Sequence, residues 1–425
     1  MSMRPDQPRI LYVSYDGALE PLGQSQILPY LRGLAVRGAA ITFLSFEKRS
    51  DRKRSGRMRS LQTELREAGI QWVPLSYHKH PTLLATAYDV LAGAIRAWRL
   101  ARRYDIQVVH ARSYVAMLMA WGLKCVLRVR VIFDMRGFWA DERVEGRLWS
   151  SNSALYLLAK HLERRFLRDA DEVITLTDRA RQTIEDWLDG ACPRVTVIPT
   201  CVDLERFSAS QGRRSPQEAP IFVYAGSVGT WYLLPEMLQF TKRALRRFAG
   251  SHLWLLTQQT EEANRVVRKA AFSSPVVQVT SVEPSAVPRW MEQAHAGLAF
   301  YKPGFSRQGT CPTKIGEYLA AGLPVVVNRE VGDMEGLLST ARVGVVIAEF
   351  SLKEYDRALD ELERLWADPA LPVRCRAVAE TTFALRIGIE RYWAVYERVA
   401  VALTPTVGGG VRSLVRHAPV GQRTG

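Results

Sequence analysis

The clearest chemical pattern in the sequence lies at residues 310–326, which read TCPTKIGEYLAAGLPVV. Pro312 suits the first turn of a helix, and in that helix Lys314 and Glu317, three positions apart, share one face. A lysine ammonium can neutralise a phosphate, while a glutamate carboxylate can accept hydrogen bonds from both hydroxyls of a ribose. The pattern therefore predicts that Thr313, Lys314 and Glu317 bind a nucleoside diphosphate at the tip of one helix.

A second anion-binding pattern lies at residues 224–232, where YAGSVGTWY follows an apolar run and precedes a stretch with helical spacing. Small residues at this point let free backbone N–H groups approach a ligand, and the dipole of the following helix favours negative charge. We therefore predict a diphosphate cradle, formed by Gly226, Ser227, Gly229 and Thr230.

A third group of ionisable residues lies at residues 133–143, which read FDMRGFWADER after another apolar run. Ionisable side chains concentrated at a strand end often mark a reactive site. The sequence predicts Asp134 and Arg136 as catalytic residues, with His110 as a weaker candidate after the preceding strand. Two alternatives stay open: Asp134 and Arg136 form a local ion pair that fixes the loop, and His110 is structural.

The first long loop, residues 14–26, reads SYDGALEPLGQSQ and contains two glycines before a helical stretch. Such a loop can bring backbone amides close to a phosphate or a sugar, and a plain turn is the alternative interpretation. The loop is not G-x-G-x-x-G, and no acid follows where a dinucleotide-binding fold holds ribose. A dehydrogenase is therefore disfavoured.

The elements that must position these residues alternate along the whole chain. Apolar runs separated by longer stretches with helical spacing predict strands at residues 10–15, 41–46, 72–76, 107–110, 129–134, 173–177 and 195–199. After a polar stretch the alternation restarts, with strands predicted at 221–226, 253–257, 276–280, 297–301, 324–328 and 343–348. Near-continuous apolar strands separated by helices indicate parallel sheets covered on both faces.

The alternation predicts an α/β protein with two Rossmann-like, doubly wound domains that face each other across a cleft. Ligands of such sheets bind beyond the carboxyl ends of the strands, so the cleft is the expected site. We predict an N-terminal domain at 1–207, a linker at 208–220, a C-terminal domain at 221–385, a final helix at 386–403 that packs back toward the N-terminal domain, and a disordered tail at 404–425.

Charge limits the partners of this 425-residue chain. The formal net charge is +15, and the run from Lys48 to Arg59 holds seven basic residues and one acid. Such a run attracts phosphate, on nucleic acid or on an anionic bilayer, unless it is only a solvated loop. Because we find no helix-turn-helix, RNP or zinc pattern, nucleic acid is disfavoured.

Composition indicates the compartment. The five cysteines are scattered without a C-x-x-C pair, which disfavours a zinc site or a disulfide framework and fits a reducing cytosol. No apolar run reaches the roughly 18 residues of a membrane-spanning helix, and the N-terminus lacks a signal-peptide pattern. We expect a cytoplasmic protein, soluble or peripheral on the inner face of the membrane.

The motif P-T-K-x-x-E-Y-L-A-x-G-x-P-V-V, preceded by two Rossmann-like halves, resembles the retaining glycosyltransferases of the GT-B fold, specifically glycosyltransferase family 4. The segment at 21–26 is similar to the acceptor-side loop of that family, which implies a role for Gly23 and Gln24. Other similar segments follow in the same order, within a resemblance that extends over residues 9–399: ADEVITLT at 170–177, and IPTCVD at 198–203 followed by Phe207.

The sequence departs from the family pattern at three places. The family usually has a glutamate eight positions before the one matched by Glu317, where this chain has Gly309. Residues 227–231 replace the usual Arg and Lys after the first strand of the second domain, and Lys314 is the candidate replacement for their charge. Asp134 stands where many relatives have a histidine.

The resemblance implies transfer of a sugar from a UDP- or GDP-sugar to a hydroxyl of a glycan or lipid-linked acceptor, with retention and without a metal or cofactor. The expected setting is the synthesis of a cell-surface glycan or exopolysaccharide. Asp169 and Asp171 match the D-x-D motif by which GT-A glycosyltransferases hold a metal, but they lie between a helix and a following strand, which disfavours that role. Two alternatives keep the fold: a nucleotide-sugar epimerase and a non-catalytic partner subunit.

Overall fold

Two parallel β-sheets form the framework of the protein. The computed structural model describes residues 7–53, 55–190, 193–208, 219–272 and 276–401. The first sheet has the strand order β3-β2-β1-β4-β5-β6-β7, with β1 (Arg9–Ser14), β2 (Ala40–Glu47), β3 (Gln71–Ser76), β4 (Val108–Arg112), β5 (Arg130–Asp134), β6 (Glu172–Thr175) and β7 (Val195–Val197). The second has the order β10-β9-β8-β11-β12-β13, with β8 (Ile221–Ala225), β9 (His252–Leu256), β10 (Val277–Thr280), β11 (Ala296–Ala299), β12 (Val325–Asn328) and β13 (Gly344–Ile347).

Helices connect the strands and cover both sheets. Around the first sheet are α1 (Pro21–Gln26), α2 (Leu28–Val36), α3 (Arg49–Arg52), α4 (Ser55–Glu67), α5 (Thr82–Arg103), α6 (Ser113–Val126), α7 (Trp139–Glu145), α8 (Ala154–Asp169) and α9 (Asp178–Trp187). After them come α10 (Leu234–Arg247), α11 (Thr260–Lys269), α12 (Val287–Gln293), α13 (Thr313–Ala320), α14 (Met334–Ala341), α15 (Leu352–Trp366), α16 (Leu371–Val378) and α17 (Leu385–Val401). Within the described ranges, no helix combines the length and the apolar character needed to cross a bilayer.

Burial on both faces explains why the strands are continuously apolar. β4 and β12 are buried along their whole length. Alternate residues of β1 enter different cores: Leu11 and Val13 pack on the side of α5 and α6, whereas Ile10 and Tyr12 pack on the side of α2 and α17. Every strand pairs in parallel. The predicted fold class, two doubly wound domains facing each other, is confirmed.

The strands follow the sequence pattern more closely than the helices do. All predicted strands are present, with ends within two residues of those predicted. Twelve of the seventeen described helices coincide with stretches of helical spacing in the sequence; the other five do not, and none of them exceeds eight residues: α1, α3, α7, α14 and α16. α2 begins as a new helix after α1, because Pro29 has no N–H and fits only the first turn of a helix.

The last helix returns the chain from the second sheet to the first. The N–H of Val202 donates to the carbonyl of Phe383 at 2.7 Å, and its carbonyl accepts from the N–H of Leu385 at 3.0 Å. From this crossing α17 packs on α2, with four side chains buried in the N-terminal core: Tyr392, Val395, Tyr396 and Val399. Residues 209–218 of the predicted linker and the predicted tail at 404–425 lie outside the described residues.

Gly23 packs directly on the backbone of the preceding loop. A Cβ at Gly23 would overlap the carbonyl oxygen of Gly17 and lie 2.8 Å from that of Ala18. Because the backbone would have to shift, we expect Gly23→Ala to lower the free energy of unfolding by about 1–3 kcal/mol, as measured by urea denaturation.

Gly336 in α14 provides the matched control, because a Cβ there would meet nothing within 4 Å. Gly336→Ala should leave the free energy of unfolding unchanged or raise it by about 0.4–1 kcal/mol. If Gly23→Ala behaves like this control, the close approach of α1 to the loop is not a constraint on the fold.

Candidate active site

The carboxyl ends of the two sheets enclose a cleft. The cleft contains two cavities, of about 410 Å³ and about 340 Å³. We call them the Lys314 cavity and the Arg136 cavity after a cation that lines each. They adjoin each other and share the lining residues Tyr232, Tyr301, Pro312 and Thr313.

Direct hydrogen bonds join the domains at the rim of the cleft. The carboxylate of Asp333 accepts the N–H groups of Asp178 at 2.7 Å and of Arg179 at 3.1 Å. These are the first residues of α9, where free N–H groups and the helix dipole both favour an anion. On the other domain's side, Glu145 of α7 accepts the N–H of Ser306 at 2.8 Å. Each domain thus supplies a carboxylate to the backbone of the other.

Lys314 is a buried lysine in the first turn of α13. Its side chain is 7% exposed, and Nζ has no hydrogen-bond partner among the described residues. Three tyrosine rings surround the ammonium, with Nζ 3.9 Å from the ring centre of Tyr232, 4.0 Å from that of Tyr224 and 5.7 Å from that of Tyr301. Burial lowers the pKa of Lys314 well below its ordinary value, against the opposing charge of Glu317. An anion entering the cavity would offset this loss of hydration.

The loop after β8 approaches this ammonium closely. A Cβ at Gly226 would lie 2.8 Å from Nζ of Lys314, so the absence of a side chain is what allows the approach. Farther on, the N–H of Val228 donates to Oε1 of Gln259 rather than to the cavity. Of the predicted cradle, two residues line the Lys314 cavity, Gly226 and Ser227, and two do not, Gly229 and Thr230.

Glu317 lies one turn along α13 and also lines the Lys314 cavity. Burial raises its pKa, and the charges of Arg206 and Lys314 oppose this effect. Thr313 lies between the two cavities, where its Oγ1 accepts a hydrogen bond from Nε2 of Gln26 at 3.3 Å, across the cleft. The structure therefore brings together Thr313, Lys314 and Glu317, as the helical spacing predicts.

Three arginines, Arg112, Arg136 and Arg307, line the Arg136 cavity. Arg136 has a left-handed backbone with φ of 61°, which non-glycine residues rarely adopt. Arg307 comes from the opposite domain, where its guanidinium lies 4.9 Å from the ring centre of Trp231 and 3.6 Å from Glu142. The cavity is thus a basic, aromatic space next to the Lys314 cavity.

Asp134 lies behind these arginines. Its side chain is fully buried and lines neither cavity. Oδ2 accepts a hydrogen bond from the hydroxyl of Tyr392 at 3.0 Å and lies 3.4 Å from Nε2 of His110. Arg112 Nη1 lies 3.8 Å from Oδ2, and Arg136 Nη1 lies 3.9 Å from Oδ1. One carboxylate therefore faces both arginines from the protein side.

His110 is fully buried next to Asp134, with Nδ1 at 2.9 Å from the hydroxyl of Tyr396. Burial lowers the pKa of His110, against the opposing effect of Asp134. For Asp134, burial alone would raise the pKa, but Arg136, His110 and Arg112 together lower it below its ordinary value. At neutral pH the cluster therefore combines a neutral imidazole with an ionised carboxylate.

Of the three residues predicted to be catalytic, only Arg136 reaches a cavity. The distances of Asp134 favour the alternative interpretation, in which it pairs with Arg136 and fixes the loop after β5. A catalytic role for Asp134, Arg136 and His110 stays a prediction.

Gly23 and Gln24 lie in α1 at the edge of the cleft but line neither cavity. Nε2 of Gln24 donates to the carbonyl of Ala18 at 2.7 Å, which holds α1 on its own loop. The residues of this helix that do line the cavities are its other members: Pro21, Leu22, Ser25 and Gln26.

Sequence analysis missed several polar residues of the cleft, among them two arginines and two glutamines. Arg206 and Arg307 belong to no motif, and nothing in the sequence distinguishes them from surface arginines. Gln258 and Gln259 were detectable, because they directly follow β9, and ligands of parallel sheets bind beyond the carboxyl ends of strands.

The D-x-D pair, Asp169 and Asp171, lies between the end of α8 and the start of β6, at the amino ends of the strands and away from the cleft. Asp171 pairs with Lys124 at 2.8 Å and with Arg130 at 2.9 Å, and Asp169 accepts a hydrogen bond from Nε1 of Trp121 at 2.8 Å. Both carboxylates thus have partners within the N-terminal domain.

Solved structures define the class of fold as GT-B. Sucrose-phosphate synthase from Thermosynechococcus elongatus is similar with a TM-score of 0.65 at 13% identity, over 93% of this chain and 100% of that chain. WaaG, a glycosyltransferase involved in lipopolysaccharide biosynthesis, is similar with a TM-score of 0.58 at 15% identity, over 93% and 100%. Anabaena HepE in complex with UDP and glucose gives a TM-score of 0.62 at 12% identity, over 91% and 98%.

The sequence comparison is more specific. The family model of Glycosyltransferase Family 4 matches residues 27–206. TuaH of Bacillus subtilis (strain 168), named as a teichuronic acid biosynthesis glycosyltransferase, is 26% identical over 200 residues, which are 46% of this chain and 50% of TuaH. The chain thus spans about half the length of this curated relative. The resemblance to glycosyltransferase family 4 is confirmed over the N-terminal domain.

Asp134→Asn keeps the size of the side chain and removes its charge, which leaves Arg112 and Arg136 without their buried counter-ion. We expect the free energy of unfolding near neutral pH to fall by about 3 kcal/mol. Since the pKa of Asp134 is lowered in the folded protein, the wild-type advantage is fully present above the unfolded value of about 4 and is lost as the pH falls below it. Urea denaturation across this pH range measures the difference between the two proteins.

Tyr392→Phe is the control, because it removes a hydrogen bond to Asp134 without removing the charge. Tyr392→Phe should lower the free energy of unfolding by about 1 kcal/mol, and its stability should depend on pH as that of the wild type does. If Asp134→Asn instead keeps its stability and loses turnover, the catalytic interpretation is the better one.

Proposed function

We propose that this protein is a GT-B glycosyltransferase that moves a sugar from a nucleotide-diphosphate donor to a hydroxyl of a glycan or lipid-linked acceptor, with retention at the anomeric carbon. The observation that carries the proposal is the ammonium of Lys314, buried in the cleft without a hydrogen-bond partner among the described residues and one helical turn from Glu317. A diphosphate supplies the acceptors that the ammonium lacks. The ribose supplies hydroxyl donors for the carboxylate.

In this proposal the Lys314 cavity holds the nucleotide. Glu317 accepts hydrogen bonds from the ribose hydroxyls, and the diphosphate lies between Lys314 and the backbone of Gly226 and Ser227. The UDP in the HepE complex supports a uridine nucleotide, and a guanosine nucleotide is the alternative. The sugar then extends into the Arg136 cavity, which adjoins the Lys314 cavity.

The chemical step breaks the bond between the anomeric carbon and the diphosphate oxygen and forms a new bond from the anomeric carbon to the acceptor oxygen, while the proton of the acceptor hydroxyl passes to the departing diphosphate. Negative charge develops on the departing diphosphate. Lys314 and the amino end of α13 stabilise that charge in a site shielded from water, where electrostatic interactions are strong. Arg112 and Arg136 position the donor sugar or the acceptor, and Asp134 acts through these arginines as a positioning residue.

Retention and independence of a metal belong to this proposal. The resemblance to family 4 at the N-terminal domain supports retention. The proposal assigns neutralisation of the diphosphate to Lys314, a role that a divalent cation plays in metal-dependent transferases. The proposed setting is the synthesis of a cell-surface polysaccharide, in the cytoplasm or peripherally on the inner face of the membrane.

The two residues of α13 should contribute to different parts of the ligand. Glu317→Ala should weaken binding of both uridine and UDP by about 2–4 kcal/mol, because two charge-assisted hydrogen bonds to ribose are lost. Lys314→Ala should weaken the binding of UDP far more than that of uridine, because it removes the partner of the diphosphate. Isothermal titration calorimetry measures all four affinities.

The control for both variants is Lys353→Ala, which replaces an exposed lysine in α15 that lines neither cavity.

Proton linkage gives a second readout. Because burial lowers the pKa of Lys314 in the free protein and a phosphate would raise it again, binding of UDP takes up a proton, so affinity should fall as the pH rises from the pKa of the free protein to that of the complex. Equal affinities of Lys314→Ala and wild type for UDP would remove α13 from the donor site.

Assays without an acceptor separate the alternatives that share the fold. A nucleotide-sugar epimerase would produce an epimer or release UDP from a UDP-sugar in the absence of any acceptor. A non-catalytic partner subunit would bind UDP and show no turnover with any donor and acceptor. A transferase turns over only when donor and acceptor are both present, apart from slow hydrolysis.

The basic run from Lys48 to Arg59 leads to a prediction about anionic membranes. Lys48 pairs with Glu20 at 2.6 Å, while Arg52 and Lys53 are exposed; Arg54 lies outside the described residues. We expect salt-sensitive binding to anionic vesicles, weakened by about 1 kcal/mol for each basic residue neutralised among Arg52, Lys53 and Arg54. Vesicle co-sedimentation measures it.

The matched control neutralises three exposed basic residues of the C-terminal domain: Arg246, Arg268 and Lys269. Both triple variants should keep the wild-type affinity for UDP. If they bind vesicles equally well, the run is only a solvated surface.

A further inference from the structure

The outward face of α5 carries a row of large apolar side chains. They recur every three or four residues, which places them along one face of the helix. The row extends over about 21 Å at 1.5 Å per residue. We call this row the α5 stripe; its members are 39–72% exposed and comprise Leu84, Tyr88, Leu91, Ile95 and Trp98.

The opposite face fixes α5 on the domain. Ala85, Gly93 and Ala97 are buried there. A Cβ at Gly93 would lie 2.6 Å from the sulfur of Met119 and 2.9 Å from the ring of Phe46, so the helix is packed closely on α6 and the sheet. This inner face holds the helix in place and leaves the α5 stripe facing outward.

Exposed apolar residues are concentrated on this helix. With Leu83, α5 holds six of the fifteen large apolar residues that are exposed in the described part of the chain. Others, such as Val36, Leu352 and Val373, stand on separate helices. Scattered apolar residues are normal on a protein surface, whereas a contiguous row marks an interaction surface.

The charges beside the stripe indicate what covers it. α5 has a single acid, Asp89, which is buried and accepts hydrogen bonds from His78 and from the hydroxyl of Tyr15. The exposed charges of the helix are all positive and lie toward its carboxyl end, next to Trp98: Arg96, Arg99, Arg102 and Arg103. A second copy packed with its α5 parallel would bring two rows of arginines together, and in the antiparallel orientation α5 would offer them no exposed acid. An anionic surface would neutralise them.

We propose that α5 binds the surface of an anionic lipid bilayer. The α5 stripe enters the boundary between head groups and acyl chains, and the arginines contact lipid phosphates. Leucine and isoleucine supply apolar area, while tryptophan and tyrosine suit an interface where one end of the ring is apolar and the other is wet. Arg102, whose guanidinium lies 5.5 Å from the ring centre of Trp98, extends the stripe at the depth of the head groups.

The position of α5 connects this surface to the cleft. Asp89 on the inner face of the helix binds the hydroxyl of Tyr15 at 3.0 Å, and the next residue, Asp16, lines the Arg136 cavity. A bilayer that holds α5 therefore lies near the N-terminal rim of the cleft. In a step that rests on the proposed function, this arrangement favours an acceptor carried on a lipid.

The test is flotation of the full chain with vesicles of phosphatidylcholine alone and of phosphatidylcholine with about 30% phosphatidylglycerol. The variant Tyr88→Ser/Leu91→Ser/Ile95→Ser removes the centre of the α5 stripe. We expect its binding to anionic vesicles to be at least about tenfold weaker than that of wild type, because three apolar side chains no longer enter the interface. A higher salt concentration should weaken vesicle binding by both proteins, and the wild type should still bind more tightly than the variant.

The matched control is Val36→Ser/Leu352→Ser/Val373→Ser, which removes three exposed apolar residues elsewhere and should bind vesicles like wild type. Circular dichroism and UDP binding, both without lipid, show that each variant is folded, and they test the donor site separately from the membrane surface. Three results would overturn the proposal. The wild type could bind neither kind of vesicle, or the wild type and the stripe variant could bind vesicles equally well. In the third, the wild type is a dimer in the absence of lipid and the stripe variant is a monomer.

Discussion

The buried carboxylate of Asp134 is the constraint on which the arrangement of the N-terminal domain and the last helix depends. A carboxylate without access to water must be offset by charges and hydrogen-bond donors. Here they come from three parts of the chain: Arg112 and His110 from β4, Arg136 from the loop after β5, and Tyr392 from α17. The same group therefore ties the last helix to the first sheet and holds two arginines at the edge of the cleft.

Lys314 presents the opposite electrostatic situation. Asp134 is charged and surrounded by partners, so its pKa is lowered despite burial. Lys314 is surrounded by tyrosine rings and by the backbone of Gly226, so burial dominates and its pKa is lowered as well. For a carboxylate the shift stabilises the charged form, whereas for an amine it disfavours it. The first group has two arginines within 4 Å and a hydrogen bond from Tyr392, whereas the second lacks the anion that a ligand would bring.

Two features of the surface have different physical origins. The run from Lys48 to Arg59 is a concentration of charge, which acts over a Debye length and is weakened by salt. The α5 stripe is apolar and acts only on contact, through area removed from water. The inner apolar face of α5 is buried in the core, whereas the outer apolar face stays exposed to water until a partner covers it. The stripe therefore indicates a partner with an apolar surface.

The sequence predicts those structural features whose physical cause lies among residues close together in the chain. The strands and the fold class follow from local apolar patterning, because a parallel sheet buried on both faces requires continuous apolar runs. The grouping of Thr313, Lys314 and Glu317 also follows from local spacing, since one helical turn brings them together. Short helices such as α1 and α7 escape prediction because tertiary contacts, rather than their own periodicity, stabilise them.

The sequence by itself determined the two sheets, the helix tip with Lys314 and Glu317, and the resemblance to family 4. Only the tertiary structure decided that Asp134 and His110 are buried behind the arginines, that Gly229 and Thr230 line neither cavity, and that Arg307 lines the Arg136 cavity from the other domain. It also decided which face of α5 remains uncovered, since the sequence shows two apolar faces and only packing against α6 selects one. The reason is the same in each case: burial and charge pairing depend on residues distant in sequence, such as Tyr392 beside Asp134, and local spacing carries no information about them.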